Sequence, residues 1–247
     1  MISEHMQHED APLFLTRKDV VASLARKHAG LSKASYSFQL DKLLKAGQLV
    51  RVGHNAYQVS GKQSNTYSYA YSDISCRIAE ILIKRYPLVD FRIFEMVQLN
   101  DFVNHLLAHN TIFVSAENDV LDFVFNTLQA EYPGKVLLRP SLDGYHRYRT
   151  DDMIVLERLL TEAPRGDQSA RWHTSLEKLL VDVVADKFIR SSISPSEYEF
   201  IFQDAFELYT IDERKMFRYA RRRNAEKKIR KIIAEQTNVK LRMEPSC

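Results

Sequence analysis

The sequence predicts an α+β protein in which a helix–helix–hairpin module precedes a mixed α/β domain with an all-helical C-terminal part. Three observations carry this reading. Residues 1–62 show two capped helical patterns and then two short alternating runs. The stretch Gly61 to Ser68 is polar and unpatterned, so we place a linker at 63–69 and the second domain at 70–247. From residue 70 strands alternate with helices, and the last third offers three helix starts in succession.

The elements follow in order. Thr16 and Asp19 form a capping pair ahead of Val20, Val21, Leu24 and Ala25, and Gly30 predicts the end of that helix. Ser32 starts a second helix with Tyr36, Leu40, Leu43 and Leu44 on one side, and Gly47 supplies its left-handed stop. Leu49 to Val52 and Tyr57 to Val59 read as two strands around Gly53-His54-Asn55. This order, with a terminal Tyr, resembles the winged helix-turn-helix of bacterial transcription regulators.

In the second domain, residues 74–85, 100–108 and 118–131 read as helices. Residues 88–96, 111–115, 135–139 and 153–156 read as strands of a mainly parallel sheet, with 142–151 as a connecting loop. Thr174, Ser194 and Thr210 read as caps, each followed three residues later by Glu177, Glu197 or Glu213. Cations are dense from Arg214 to Lys231, a stretch that reads as one long helix.

Composition narrows the function classes. With 247 residues and 45% hydrophobic content the chain can bury two cores, and seven Gly and seven Pro are too few for a fibrous or linker protein. Apolar runs such as Leu179 to Ala185 stop well short of the roughly 18 residues of a bilayer helix, so no membrane role is expected. The acidic start, with Glu4, Glu9 and Asp10, lacks secretory features, and we expect a cytoplasmic protein. Cys76 and Cys247 read as thiols. Net charge is +3 but uneven. Residues 1–62 hold nine Lys/Arg against five Asp/Glu, 63–211 hold fourteen against twenty-two, and 212–247 hold twelve against five. Clustered cations gain counterion-release free energy on phosphate backbones, so the basic ends point to nucleic acid.

Phosphate-cradling glycine motifs, a Gly-x-Ser-x-Gly turn, a His-Glu-x-x-His helix and the Gly-Ser with Asp-x-Asp of nucleotidyltransferases are all absent. We therefore expect no catalytic residues, metal or cofactor. His105 and His109, four apart, read as solvent-exposed histidines without an accompanying Glu. Asp182 and Asp186 read as an ion-pair ladder with Lys178 and Arg190. Residues 143–149 interleave Tyr145, His146 and Tyr148 with Arg147 and Arg149; such a pattern can stack on bases, but a strand connection is the simpler reading. Trp172 and His173 read as the buried anchor of a helix start.

The sharper case is the second helix. With Leu40, Leu43 and Leu44 inward, Ser35, Phe38, Lys42 and Lys45 project oppositely, Lys33 and Gln39 flank them, and Ser32 adds a hydroxyl near the helix start. Arg51, His54 and Asn55 would form a phosphate-contacting tip. A solvated face with one stray aromatic is the plain alternative. The C-terminal cations Lys215, Arg218, Arg221, Arg222, Arg223, Lys227 and Lys228 pose a puzzle. The apolar stripe of Ala225, Ile229, Ile232 and Ile233, projected backwards, meets arginines, so these cations read as partners of phosphates, RNA or carboxylates of the acidic middle, with a solvated helix end as the plain alternative.

Thr174-Ser-Leu-Glu-Lys-Leu-Leu-Val-Asp-Val-Val-Ala-Asp-Lys187 and Met216-Phe-Arg-Tyr-Ala-Arg-Arg-Arg-Asn224, with the N-terminal module, resemble the AbiEi-like family of type IV antitoxins across most of the chain. The resemblance implies a phage-defence toxin–antitoxin regulator. Its winged helix would repress its own operon by binding double-stranded operator or promoter DNA, and its C-terminal domain would counter a nucleotidyltransferase toxin without a tight complex. It implies DNA reading by residues 35–45 and 51–57 and a basic region at 215–223. His54-Asn55-Ala56-Tyr57 departs from the family's basic residue and Gly before the wing Tyr, which implies a weaker phosphate grip. Two other readings are a metal-dependent nuclease or nucleotidyltransferase-like enzyme using Asp90, Glu95 and Asp151 or Asp152, and a protein-binding adaptor.

Overall fold

Thr16 opens the first helix, α1 (Arg17–Lys27), as its spacing with Asp19 predicts. The Thr16 hydroxyl accepts from the Asp19 amide at 3.3 Å, and the Asp19 carboxylate accepts from the Thr16 amide at 2.8 Å. The Thr16 hydroxyl also donates to this carboxylate at 2.7 Å, and that bond, then the one from the Thr16 amide, holds the Asp19 carboxyl below its ordinary value. Gly30 adopts the left-handed φ of 87° just beyond the helix. The computed structural model describes residues 15–27, 30–45, 48–53, 55–59, 66–165 and 171–241. The chain divides into two compact units, Met1–Thr66 with Leu208–Thr210, and Tyr67–Glu207 with Ile211–Cys247.

In the first unit Ser32 caps α2 (Lys33–Lys45), accepting from the Ser35 amide at 3.1 Å. Strands β1 (Leu49–Gly53) and β2 (Ala56–Val59) pair antiparallel. Leu15 adds a third extended segment, exchanging two backbone hydrogen bonds with Tyr57 at 2.7 and 2.8 Å. Val20, Leu24, Leu40, Leu49 and Tyr57 form the core, with Tyr36, Leu43 and Leu44 against it, as the helical period predicts. The predicted stop at Gly47 lies outside the described residues, as do residues 63–65 of the predicted linker 63–69.

The second unit opens with α3 (Asp73–Arg85), capped by Ser72. Then come β3 (Phe91–Glu95), β4 (Thr111–Ala116), α4 (Leu121–Glu131), β5 (Val136–Leu138), α5 (Leu142–Tyr148) and β6 (Met153–Arg158). The sheet order is β3-β4-β6-β5, parallel except for β3. Every residue of β3 and β4 is buried, because both sheet faces are covered. Ile93, Ile112, Val114, Ile154 and Leu156 pack with Ile78 and Leu82 of α3 and with Leu121, Val124 and Leu128 of α4, all at most 1% exposed. Each such burial contributes roughly 1.5–3 kcal/mol. On the opposite face Phe113 meets Tyr145 of α5 and Phe188, with ring centroids 6.3 and 5.9 Å apart.

The last third is helical: α6 (Leu176–Ala185), α7 (Lys187–Ser192), α8 (Tyr198–Leu208), α9 (Glu213–Arg222) and α10 (Glu226–Gln236). Architecture is thus α+β with a mixed four-stranded sheet.

Several predicted elements are corrected. Residues 100–108 are not a helix: a 3-10 turn, Met96–Asp101, gives way to a loop closed by Asn100. The Asn100 side chain accepts from the Leu107 amide at 2.8 Å and donates to the Leu107 carbonyl at 3.2 Å, so it competes with helical bonding. Residues 142–148 are helix rather than loop, because Ser141 caps the Gly144 amide at 3.0 Å and Tyr145 is completely buried. At Gly144 the Ser141 hydroxyl oxygen lies 3.2 Å from where a Cβ would stand, a close approach that suits glycine. Ser175, not Thr174, caps α6, since the Thr174 hydroxyl instead donates to the Ile93 carbonyl at 2.8 Å. Asp212, not Thr210, caps α9. Glu177 does not return to its own cap; it accepts the Asp212 amide at 3.1 Å.

The single long basic helix is two helices. Asn224 is left-handed at φ 52°, the Ala225 amide bonds the Ala220 carbonyl at 2.8 Å and the Asn224 amide bonds the Arg221 carbonyl at 3.0 Å. This is a Schellman stop with Asn in the glycine position. It explains why the apolar stripe of α10 does not project back onto α9. Met216, Phe217, Tyr219 and Ala220 form the buried side of α9 instead.

Candidate functional site

The predicted DNA-reading residues fall into three groups. Lys33 is exposed, as is Ser32, whose hydroxyl lies 2.9 Å from that of half-buried Ser35. Phe38 is half-buried. Gln39 and Lys42 are only 4% and 6% exposed, and both are engaged in interactions within the chain. This corrects their placement at the edge and on the outer side of α2: a helical wheel ranks positions on one helix and carries no information on what covers it. Asn55, predicted at a phosphate-gripping tip, is left-handed at φ 54°, and its side-chain carbonyl accepts the Arg17 amide at 3.0 Å, joining the hairpin to α1. His54 and the side chains of Lys45 and Arg51 lie outside the described residues.

The C-terminal cations are divided among partners of the second unit. Arg218 pairs with Glu162 at 2.7 Å, Arg221 with Glu226 at 3.3 Å and Lys215 with Asp212 at 3.5 Å. Arg222 donates to the Thr161 hydroxyl at 2.8 Å. Lys228 sits 5.5 Å from the Tyr198 ring centroid, and Lys227 is exposed. Glu162 belongs to the acidic middle of the chain, whereas Asp212 and Glu226 lie within the basic C-terminal segment itself.

Strand register builds a polar row on an otherwise apolar sheet face. Arg92 of β3 lies opposite Ser115 of β4, and Ser115 lies opposite Glu157 of β6, to which its hydroxyl donates at 3.2 Å. The row stands at the carboxyl ends of the parallel strands, where open α/β sheets hold ligands. Above Glu157 the two sequence stretches 174–187 and 216–224 converge on a cavity of about 360 Å³. Lys178 donates to Asp182 at 2.6 Å, Tyr219 donates to Asp182 at 3.0 Å, and Arg223 lies 3.4 Å from Asp182 and 3.3 Å from Asp186. Asp186 also caps α7, accepting from the Phe188 and Ile189 amides at 2.9 and 3.3 Å.

The expected solvated ladder is therefore corrected. Lys178 and Asp182 do pair, but buried, and the helix breaks at Asp186, so Asp186 turns to Arg223. Burial, and next the negative charge of Asp186, push the Glu157 carboxyl up to about 7. Burial, then Asp182, also raise the Tyr219 phenol. For Arg223 burial acts downward, but Asp182, Tyr219, Asp186 and Glu157 outweigh it and hold the guanidinium charged.

Beside this cavity, past Leu160, lies a larger cleft of about 920 Å³ at the same sheet edge. Arg92, 2% exposed, forms part of its wall; Asp90 accepts from it at 2.6 and 3.2 Å, and its buried Nε has no hydrogen-bond partner among the described residues. Arg165, Arg171, Lys215 and Arg218 also line the cleft, with carboxylates at Asp90, Glu117 and Glu162. Sequence reasoning missed Arg92, Ser115 and Glu157. Their signal was present as polar residues at the ends of strands otherwise made of apolar side chains.

The carboxylates proposed for a divalent ion do not come together. Asp90 precedes β3, whereas Glu95 ends it and Asp151 and Asp152 precede β6, at the opposite sheet edge. Glu95 accepts from Tyr69 at 2.9 Å and from the Ser72 amide at 3.0 Å, and Asp151 and Asp152 accept from Asn110 at 3.1 and 3.2 Å. His105 and His109 share no helix: His105 pairs with Glu197, and His109 lies 4.0 Å from Asp151, both imidazoles exposed. Among the described residues no group of three or more His, Cys, Asp or Glu is placed to hold a metal ion, and no helix is long and apolar enough to cross a membrane. Trp172 is partly buried against the sheet core, and its carbonyl accepts the Ile93 amide at 2.8 Å.

No curated protein and no solved structure matches this chain. One family profile does, over residues 35–239, which takes in α2 from Ser35 on, the hairpin and nearly all of the second unit. The chain belongs to the Family of unknown function (DUF6577).

Proposed function

We propose that the protein is a DNA-binding regulator whose first unit is a winged helix-turn-helix for double-stranded operator or promoter DNA. The observation that carries this reading is the two-bond bridge of Leu15 to Tyr57, which closes a three-segment wing behind α1 and α2. In such modules the amino-terminal end of the second helix meets base edges. Here that end keeps Ser32, Lys33 and Ala34 exposed, and exposed Arg17, Lys18 and Arg26 supply cations for phosphates. The reading set is thus Ser32, Lys33 and Ser35, with Phe38 beside them, rather than Gln39 and Lys42.

By its resemblance to AbiEi-like antitoxins the regulator represses its own operon, and its second unit counters a nucleotidyltransferase toxin. No reaction is assigned to the chain. The enzyme alternative draws less support because its carboxylates stand at opposite sheet edges, and the adaptor alternative because Arg221 and Arg223 are already paired within the chain.

Fluorescence anisotropy with duplex DNA from upstream of the protein's own reading frame tests the proposal. Lys33→Glu weakens binding about tenfold and lowers the salt slope, since at least one phosphate contact is lost. Gln39→Ala leaves affinity within about twofold if the fold is kept. Equal affinity of the parent and Lys33→Glu overturns the recognition-helix assignment.

A further inference from the structure

The large cleft at the carboxyl edge of the sheet has two chemically distinct halves. One is cationic: Arg92, Arg165, Arg171, Lys215 and Arg218 outnumber the carboxylates of Asp90, Glu117 and Glu162. The other is an adjoining cavity of about 600 Å³ where Tyr86, Leu88 and Trp172 meet Ile83. Leu88 is 96% exposed and Ile83 51%, an apolar lip that water alone does not favour. Arg165, Arg171, Asp90 and Glu117 line both halves.

A ligand that suits this arrangement carries several negative charges at one end and a flat apolar group at the other. We infer that the cleft binds a free nucleoside polyphosphate, with its base against Leu88 and Trp172 and its phosphates on Arg171 and on Arg165, Lys215 and Arg218, which would exchange their surface pairs with Asp90, Asp212 and Glu162 for phosphate oxygens. Guanidinium groups match phosphate oxygens in paired hydrogen bonds, and four cations, two from the segment between β6 and α6 and two from α9, suit a chain of phosphates better than one carboxylate. Asp90 and Glu117, where the halves meet, are acceptors placed for sugar hydroxyls. Arg92 is fixed at the wall by its fork to Asp90 and takes part without having to move. The volume falls in the range of roughly 300–1,000 Å³ usual for small-molecule sites.

Isothermal titration of the full chain with the four ribonucleoside triphosphates tests this, with adenosine and inorganic triphosphate as half-ligands. At least one nucleotide binds saturably, and adenosine and triphosphate each bind about tenfold or more weakly. The double variant of Arg171→Ala and Lys215→Ala, both at exposed side chains, loses about ten- to a hundredfold in nucleotide affinity while its melting temperature stays near that of the parent. Lys33→Glu leaves nucleotide affinity unchanged, which separates this site from the proposed DNA face. No saturable binding of any nucleotide at millimolar concentration, or binding untouched by the double variant, overturns the inference. So does binding of a short single-stranded DNA that the double variant abolishes while nucleotides remain silent, because the cleft would then hold a strand rather than a free nucleotide.

Discussion

The two basic ends of the chain look alike in sequence and behave differently in structure. In α2 the helical period places the apolar core correctly, yet Gln39 and Lys42, read as outward or flanking, are buried. In α9 and the turn after it the helix itself is misread, yet the expectation that its cations need anions is met by Glu162, Glu226, Asp182 and Asp186. Periodicity reports on a residue's own helix, whereas charge balance reports on whatever the fold brings near. A basic helix in an acidic domain is thus first a question of internal pairing, and only then of phosphates.

The sharpest way to break this comparison is to remove an internal partner. Asp182→Ala leaves Lys178 and Arg223 buried without their shared carboxylate, and we expect a loss of about 3–5 kcal/mol, read by chemical denaturation. A loss below about 1 kcal/mol would mean that these cations find water, and that pairing does not explain the basic helix. Next in size, Asn224→Ala puts a side chain with no local hydrogen bond onto a left-handed position and costs about 1 kcal/mol, whereas Asn224→Gly is neutral or stabilising. Equal stability of the two variants would show that the stop is imposed by packing alone.

The smallest expected effect concerns pH. Glu157, pushed up to about 7, holds its proton more tightly folded than unfolded. Between the ordinary carboxyl value and about 7 the native state therefore binds more protons, and this group's contribution to stability falls as pH rises through that window. Glu157→Gln should raise the melting temperature relative to the parent at pH 8 and lose that advantage towards pH 5. An advantage that does not change with pH would place the proton elsewhere in the cluster.

Much of the fold was legible because short-range chemistry decided it. Thr16 with Asp19, Ser32, the helix over 74–85 and the strands at 111–115 and 153–156 all follow from spacing and capping. Where reading failed, a side chain bonded to something distant in sequence. Thr174 donates to Ile93 rather than capping, and Asn100 closes a loop instead of continuing a helix. The candidate site was legible only in fragments. Lys178, Asp182 and Asp186 were singled out, but nothing in their spacing pointed to Glu157 or Arg223, which strand register and a left-handed asparagine deliver.

The run Arg221-Arg222-Arg223 reads as a single patch of charge, but about 100° of helical rotation per residue sends each guanidinium elsewhere. Arg221 reaches Glu226 at the start of the next helix, Arg222 reaches Thr161 beside β6, and Arg223 reaches the buried aspartates. Three neighbours in the chain thus act as three separate struts. Adding or deleting one residue between Tyr219 and Asn224 would keep the composition basic and redirect all of them, so the phase of this triplet matters more to the molecule than its total charge.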